Sequence, residues 1–303
     1  MRAAYLGPAG TNSHEALVAA GLAAENVSFP TVGAVVAAVQ EGAAEFALVP
    51  IENSREGAVA ATLDALVFDA PDVRIVGELV HRVSYCLAAG DAIAPDEVRT
   101  VHSHPQATGQ CARFLAEQLT GAAVIAAAST AEAMRAVAGG EALAGFTPHA
   151  AIGTQHAAAL YGAAVLAERI EDDAENATRF AWVAHAGSAG SPGGGGDRAD
   201  HGGLPATADH PAAPAAPIKT ALVFWGGGDH APGWLVDCLT EFSSRAISLT
   251  RIESRPRRVG LGSYMFFCDL EGAAESAEIG AAIAGLRARC DSVRVLGSFP
   301  AAA

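Results

Sequence analysis

Between Ala186 and Pro217 the chain is Gly, Ala and Pro with a few polar residues, and it contains the run Gly193 to Gly196. Apart from alanines, Leu204 is the only aliphatic residue there. Such a stretch cannot bury enough apolar surface to offset the entropy of ordering it. As a flexible tether it reaches about 30 Å, at 5–6 Å × √n. It therefore divides the chain into two folded units, residues 1–185 and 218–303, with 186–217 as linker. A length of 303 residues suits two domains. With 51% hydrophobic residues, mostly Ala, Val and Leu, a sizeable core is available.

In the first unit short apolar strands alternate with helical stretches. Ala3–Leu6 leads through a Gly-Pro turn to a helix from Ser13. Phe46–Pro50 leads through Ile51–Gly57 to a helix bearing Val59, Leu63, Leu66 and Val67. Val98–Val101 leads through His102–Pro105 to a helix bearing Cys111, Phe114 and Leu115. Ala123–Ala127 precedes Ser129-Thr-Ala-Glu132, a capping-box start. Glu141–Phe146 reads as a strand, followed by a helical stretch near Pro148. This repetition predicts an α/β unit with largely parallel sheets. The adjacent strands Val73–Leu79 and Arg82–Ala88 are placed to carry the chain from one lobe to another. After the linker the order is β-α-β-β-α-β, the ferredoxin-like pattern.

Charge and motifs exclude several classes. Only 17% of residues are charged and the net charge is −14, which argues against nucleic-acid binding through clustered Lys and Arg. The five cysteines lack C-x-x-C spacing and read as reduced core thiols. No unbroken apolar stretch of about 18 residues marks a membrane span, and no leader pattern opens the chain, so a soluble cytoplasmic protein without membrane partner is expected. A Walker loop, a G-x-G-x-x-G and a G-x-S-x-G elbow are all missing from the sequence. His102 and His104 form an H-x-H pair without a third ligand at useful spacing, so no metal is expected. Asp172-Asp173 reads as a solvated turn.

What remains are hydroxyl and amide donors in loops between strand ends and helix starts, where open α/β sheets bind ligands. Thr11, Asn12 and Ser13 sit after Gly10, although Asn12 with Glu15 reads equally well as an N-cap pair. Glu52-Asn53-Ser54 follows Pro50. Thr178-Arg179-Phe180 puts a hydroxyl donor beside a guanidinium at the start of an apolar run. A neutral donor next to a fixed cation suits a small polycarboxylate that must lose a hydroxyl group.

These pieces, in order, resemble prephenate dehydratase: Tyr5–Thr11, Val49–Ser54 with Glu56-Gly57, Ser103–Gln106, Ser129–Ala133, Ala150–Ile152 and Asn176–Phe180. Ala231–Leu235 and Arg251–Pro256 resemble the ACT domain that follows it and binds phenylalanine. The resemblance implies a two-lobed fold like the periplasmic binding proteins, with lobe one about 1–78 plus 162–185 and lobe two 79–161. It implies conversion of prephenate to phenylpyruvate without a cofactor. Thr178 would be the donor to the departing hydroxyl and Arg179 the carboxylate anchor. Thr11, Ser13, Asn53 and Ser54 would hold carboxylate groups, and Phe180 would pack nearby. Phenylalanine would meet Gly233, Trp234, Leu235, Ser248, Glu253 and Ser254, and a homodimer or homotetramer is implied. Asn12 and Arg55 depart from the family's usual aromatic and aliphatic residues. Trp234, Ala246 and Ser248 stand where Ala, Gly and Asn are usual. Arogenate as substrate, decarboxylation without aromatisation, and a catalytically silent sensor remain as alternative readings.

Overall fold

The computed structural model describes residues 1–141, 143–187 and 216–302; most of the expected linker lies outside the described residues. The first lobe contains β1 (Arg2–Leu6), α1 (Asn12–Ala19), β2 (Glu25–Phe29), α2 (Val32–Gln40), β3 (Phe46–Asn53), β4 (Gly57–Ala58), α3 (Ala60–Asp64) and β5 (Val73–Arg82). The second contains β6 (Cys86–Ala89), β7 (Thr100–Ser103), α4 (Pro105–Gln110), α5 (Ala112–Gln118), β8 (Ala123–Ala126), α6 (Thr130–Ala138), β9 (His149–Gly153), α7 (Gln155–Tyr161) and β10 (Ala164–Glu168). The chain then returns to the first lobe as β11 (Ala177–His185). The C-terminal domain runs β12 (Ile218–Trp225), α8 (Trp234–Ser243), β13 (Leu249–Pro256), β14 (Tyr264–Glu271), α9 (Ala277–Arg287) and β15 (Ser292–Pro300).

Strand order is β2-β1-β3-β11-β5 in the first lobe, with β4 on β3, and β10-β6-β9-β7-β8 in the second. β1 pairs in parallel with β2 and β3, and β7 with β8 and β9, but the sheets are not largely parallel as expected. β11 is antiparallel to both β3 and β5, and β6 is antiparallel to β9 and β10. The sheets are mixed because strands that carry the chain between lobes need no right-handed helical crossover. Lobe limits differ from expectation at both crossings. β5 continues to Arg82 because it pairs with β11 out to Ala177, and β10 pairs with β6 in the second sheet rather than returning to the first. A short apolar run such as Ala163–Ala167 suits either sheet. The strand expected at Glu141–Phe146 is also misplaced: apart from Ala142, which is outside the described residues, that segment is irregular and the strand is β9. Gly145 at φ +110° and Pro148 break the chain ahead of the strand rather than after it.

The C-terminal sheet, order β13-β14-β12-β15, has the ferredoxin-like arrangement. Leu222, Phe224, Cys268 and Leu270 pack under α8 and α9. Its other face packs on the first lobe. Ala221, Val223, Met265, Phe267, Leu296 and Phe299 share one core with Ile75, Ala181 and Val183. Because β11 is covered on both sides, Phe180 to Ala184 is a continuous buried apolar run. Alternation sends Phe180 and Trp182 toward α1, and Ala181 and Val183 toward the C-terminal sheet.

Candidate active site

A cavity of about 540 Å³ lies between the lobes, within the usual range for small-molecule sites. Its lining draws on three helix starts and on the ends of β3 and β11. Thr11, Asn12 and Ser13 open α1, His104 and Gln106 open α4, and Ser129 and Thr130 open α6. The free N–H groups and positive dipole ends of α1 and α6 favour anions there. Gly10, at φ +87°, lets the α1 loop approach α7: an added Cβ would lie 3.0 Å from that of Ala157. Tyr161 donates to the Ala9 carbonyl at 2.7 Å and His156 Nε2 meets His14 Nδ1 at 3.0 Å, so the lobes are joined at this corner. Burial, then His156, lowers the His14 pKa.

Thr178 lines the cavity, and its geometry follows from a β-bulge. Thr178 pairs with Asn53 and Arg179 with Glu52, but Phe180 pairs with Pro50. The extra residue, Ile51, re-aims the strand. Pro50 and Asn53 thereby share a face with Thr178 and Phe180, and all four line the cavity. Asn53 Nδ2 donates to Thr178 Oγ1 at 3.1 Å and to the Ala177 carbonyl at 3.2 Å, while its Oδ1 accepts from the backbone N–H of Arg55 and Glu56. The amide orientation is fixed by this network. With an acceptor site on Oγ1 occupied, the Thr178 hydroxyl proton remains for a ligand.

The other expected site residues divide. Ser13 lines the cavity, is buried and has no side-chain hydrogen bond among the described residues. Thr11 also lines it, but its hydroxyl donates to the Leu6 carbonyl at 2.8 Å and accepts from His14 N, so it serves as the helix cap. Asn53 likewise has its donors engaged and holds Thr178 rather than a carboxylate. Ser54 does not line the cavity; it stitches β3 to β11 through Asn176 and Ala177 N. Arg55 is exposed and meets Asp173 at 3.3 Å.

Arg179 departs most from expectation. Neighbouring strand residues face opposite ways, so Arg179 points away from the cavity and toward the C-terminal domain. Its guanidinium meets Asp269 at 2.6 Å, Glu52 at 2.9 Å and Glu78 at 3.0 Å. Burial works to lower its pKa, but Asp269, Glu78 and Glu52 reverse this and raise it. No lysine or arginine lines the cavity among the described residues.

Sequence reasoning missed Tyr85, which enters the cavity from the second lobe. Its hydroxyl accepts from Asn12 Nδ2 at 3.3 Å. Burial pushes its pKa up to about 12, so it stays a neutral donor. Nothing in the sequence signals a partnership between residues so far apart. His102 and His104 diverge, His102 to His149 at 3.1 Å and His104 to the cap of α4. Among the described residues no group of three ligands suits a metal ion.

A second hollow of about 220 Å³ lies in the C-terminal domain, lined by Gly233, Trp234, Leu235, Tyr264 and Phe266 among others. Trp234 packs with Phe224 and Phe266, and its Nε1 donates to the Arg289 carbonyl at 3.1 Å. Ser248, Glu253 and Ser254 do not line this hollow.

A cleft between two α/β lobes, furnished with hydroxyls, amides and helix N-termini rather than cations, defines a two-lobed domain for a small polar ligand, here carrying a ferredoxin-like C-terminal domain. The chain belongs to the prephenate dehydratase family, whose model matches residues 3–188. A prephenate dehydratase of Mycolicibacterium vanbaalenii is 38% identical over 312 residues, covering 98% of this chain and 90% of that protein. A crystal structure of prephenate dehydratase from Arthrobacter aurescens in complex with L-Phe superposes with a TM-score of 0.81 at 33% identity, covering 99% of this chain and 90% of that one. GqqA, described as a novel type of quorum quenching acylase, superposes at 0.79 with 26% identity, covering 99% and 98%.

Proposed function

We propose that this chain converts prephenate to phenylpyruvate in the cavity between its lobes. The C–O bond to the ring hydroxyl breaks as the ring carboxylate leaves. Electrons of the C–CO₂⁻ bond enter the ring, carbon dioxide departs, and the hydroxyl takes up a proton and leaves as water. Aromatisation supplies the driving force, so the protein's work is orientation and hydrogen bonding. The observation that carries the reading is the Thr178 hydroxyl, fixed by Asn53 with its proton unspent on the cavity wall.

The lining, which among the described residues holds no lysine or arginine and one carboxylate, Glu56, supports the same reading. The α1 and α6 N-termini, Ser13 and Tyr85 offer neutral donors to a dianion. A guanidinium clamped on the ring carboxylate would stabilise the very group that must lose its charge, whereas neutral donors bind it without that penalty on the transition state. An activated nucleophile needs an adjacent base. Among the described residues no cavity-lining Ser or Thr hydroxyl is hydrogen-bonded to a histidine or carboxylate side chain, so nothing in the lining favours acyl transfer.

The C-terminal domain, read as an ACT domain, is proposed to bind phenylalanine as feedback effector, with Gly233, Trp234 and Leu235 in its hollow. The protein is further proposed to act as a homo-oligomeric lyase in the cytoplasm; among the described residues no helix is long and apolar enough to cross a membrane. The test follows phenylpyruvate formation from prephenate spectroscopically, with and without L-phenylalanine, and separately follows phenylalanine formation from arogenate. Phenylpyruvate from prephenate supports the reading. A non-aromatic decarboxylated product, or turnover of arogenate alone, overturns it.

A further inference from the structure

We propose that Arg179 is a positioning residue through which the C-terminal sheet holds Thr178 and Asn53 in place, an inference that rests on the cavity being the active site. The residues form an alternating pair of rows. On β11 and β3, Thr178 and Asn53 face the cavity, while their immediate neighbours Arg179 and Glu52 face the opposite side. That side is where the C-terminal domain sits. Asp269, 1% exposed, takes Arg179 at 2.6 Å with one oxygen while both its oxygens are held by Arg251 at 2.9 and 3.0 Å. Glu78, on β5 at the other flank of β11, takes Arg179 at 3.0 Å and also Lys219 and the Ala302 N–H. The guanidinium thus ties three strands of the first lobe directly to β14, and through Glu78 and Asp269 to Lys219 on β12 and Arg251 on β13, one residue away from the donor hydroxyl.

The bulge at Ile51 gives this contact its leverage. It makes the Thr178–Asn53 pairing depend on a short segment after an irregular register, rather than on an unbroken ladder. Removing the tie lets that segment shift, and misplacement by about 1 Å at a reacting group costs on the order of 100-fold in rate. A ligand that displaces the C-terminal sheet acts on Thr178 by the same contact.

Arg179→Gln is a usable test because its two buried partners keep other cations, Asp269 retaining Arg251 and Glu78 retaining Lys219, while Glu52 is partly exposed. Kinetics and hydrogen exchange are measured together on the full chain. Arg179→Gln is expected to lower kcat by about 10- to 100-fold with KM within about threefold. Arg179→Lys, which keeps charge but not the forked geometry, is expected to recover part of kcat. Amide exchange in segments 50–54 and 177–180 is expected to rise in Arg179→Gln and in Lys219→Met, with the second lobe unchanged. Unaltered exchange in both segments overturns the proposal, as does a wild-type kcat in Arg179→Gln, or a KM rise alone, which would return Arg179 to ligand binding. A wild-type chain inert toward prephenate defeats the functional reading instead, and the exchange data still decide the positioning claim.

Discussion

A single methyl group at Gly297 is expected to loosen the C-terminal sheet from the first lobe. Gly297 lies on β15 against the backbone of Ile75 on β5. An added Cβ would stand 2.9 Å from the Ile75 carbonyl carbon and 3.1 Å from its Cα, and closer still to the carbonyl oxygen. Carbon contacts are comfortable at about 3.5–4.0 Å, so those contacts alone require the two backbones to part by roughly 0.5–1 Å, and the carbonyl oxygen requires more. No rotamer relieves a clash with main chain. The displacement falls on a sensitive row: Gly297 is registered with Ala221, Ala221 with Asp269, and Asp269 with Arg251. Parting by that amount takes the Arg179–Asp269 contact toward about 3.5 Å, at the limit of a hydrogen bond.

Overpacking of this kind costs about 1–3 kcal/mol. At roughly 2–4 °C per kcal/mol, Gly297→Ala should lower Tm by about 2–12 °C and reduce kcat with it. Gly280→Ala is the control. That glycine sits inside α9, where an added Cβ meets only the Ala274 carbonyl oxygen at an ordinary 3.7 Å. It should gain about 0.4–1 kcal/mol. Differential scanning calorimetry on both variants decides the matter. If Gly297→Ala melts with the wild type and keeps its kcat, the sheet does not press on β5 as described.

Ala246 occupies the left-handed region at φ 56° just past α8, a position that costs a non-glycine residue roughly 1–2 kcal/mol. After glycine's own entropic cost, Ala246→Gly should gain about 0.5–1 kcal/mol, and an unchanged or lower Tm would contradict the assigned conformation. Stability should also fall on acidification in two stages. Burial lowers the pKa of His14 and His102, so the unfolded chain binds more protons below about pH 6.5 and stability begins to decline there. For Asp64, Glu78 and Asp269 burial acts to raise the carboxyl pKa, but their Arg and Lys partners reverse it and hold each below the usual range. Their stabilisation is complete above about pH 4 and is lost as pH falls through the lower folded values. Urea melts from pH 8 to 3 should show the shallow loss first and the steep one second; a midpoint urea concentration that is flat to pH 4 removes the histidine part.

The two-lobed catalytic unit and the βαββαβ tail were legible because turn chemistry punctuates both. Gly7-Pro8, Pro105 and Ser129 mark strand–helix junctions that the structure uses, whereas Pro50 lies inside β3, which continues to Asn53. Residue types in the loops also pointed to residues that line the inter-lobe cavity, including Ser13 and Thr178. Orientation was not legible. Whether Arg179 shares the cavity with Thr178 depends on strand alternation and on the Ile51 bulge, and bulges leave no clear mark in one sequence. The sequence presents Thr11 and Asn53 as carboxylate donors, yet each is engaged by groups whose positions only the folded chain fixes. Tyr85 was invisible for the same reason, since a residue of the link between β5 and β6 becomes a cavity donor only when Asn12 arrives from the other lobe.

The proposed catalysis rests on one neutral hydroxyl, and replacing it by a methyl of the same shape examines that directly. Thr178→Val keeps the volume and β-branching but removes both the acceptor for Asn53 and the donor to the leaving group. Proton donation to a leaving group is worth about 10²–10⁴-fold, with hydrogen bonding by a weak acid at the low end. Steady-state phenylpyruvate formation from prephenate should therefore show kcat down by at least tenfold, with KM changed only a few-fold. A variant that turns over prephenate at the wild-type kcat would contradict the account.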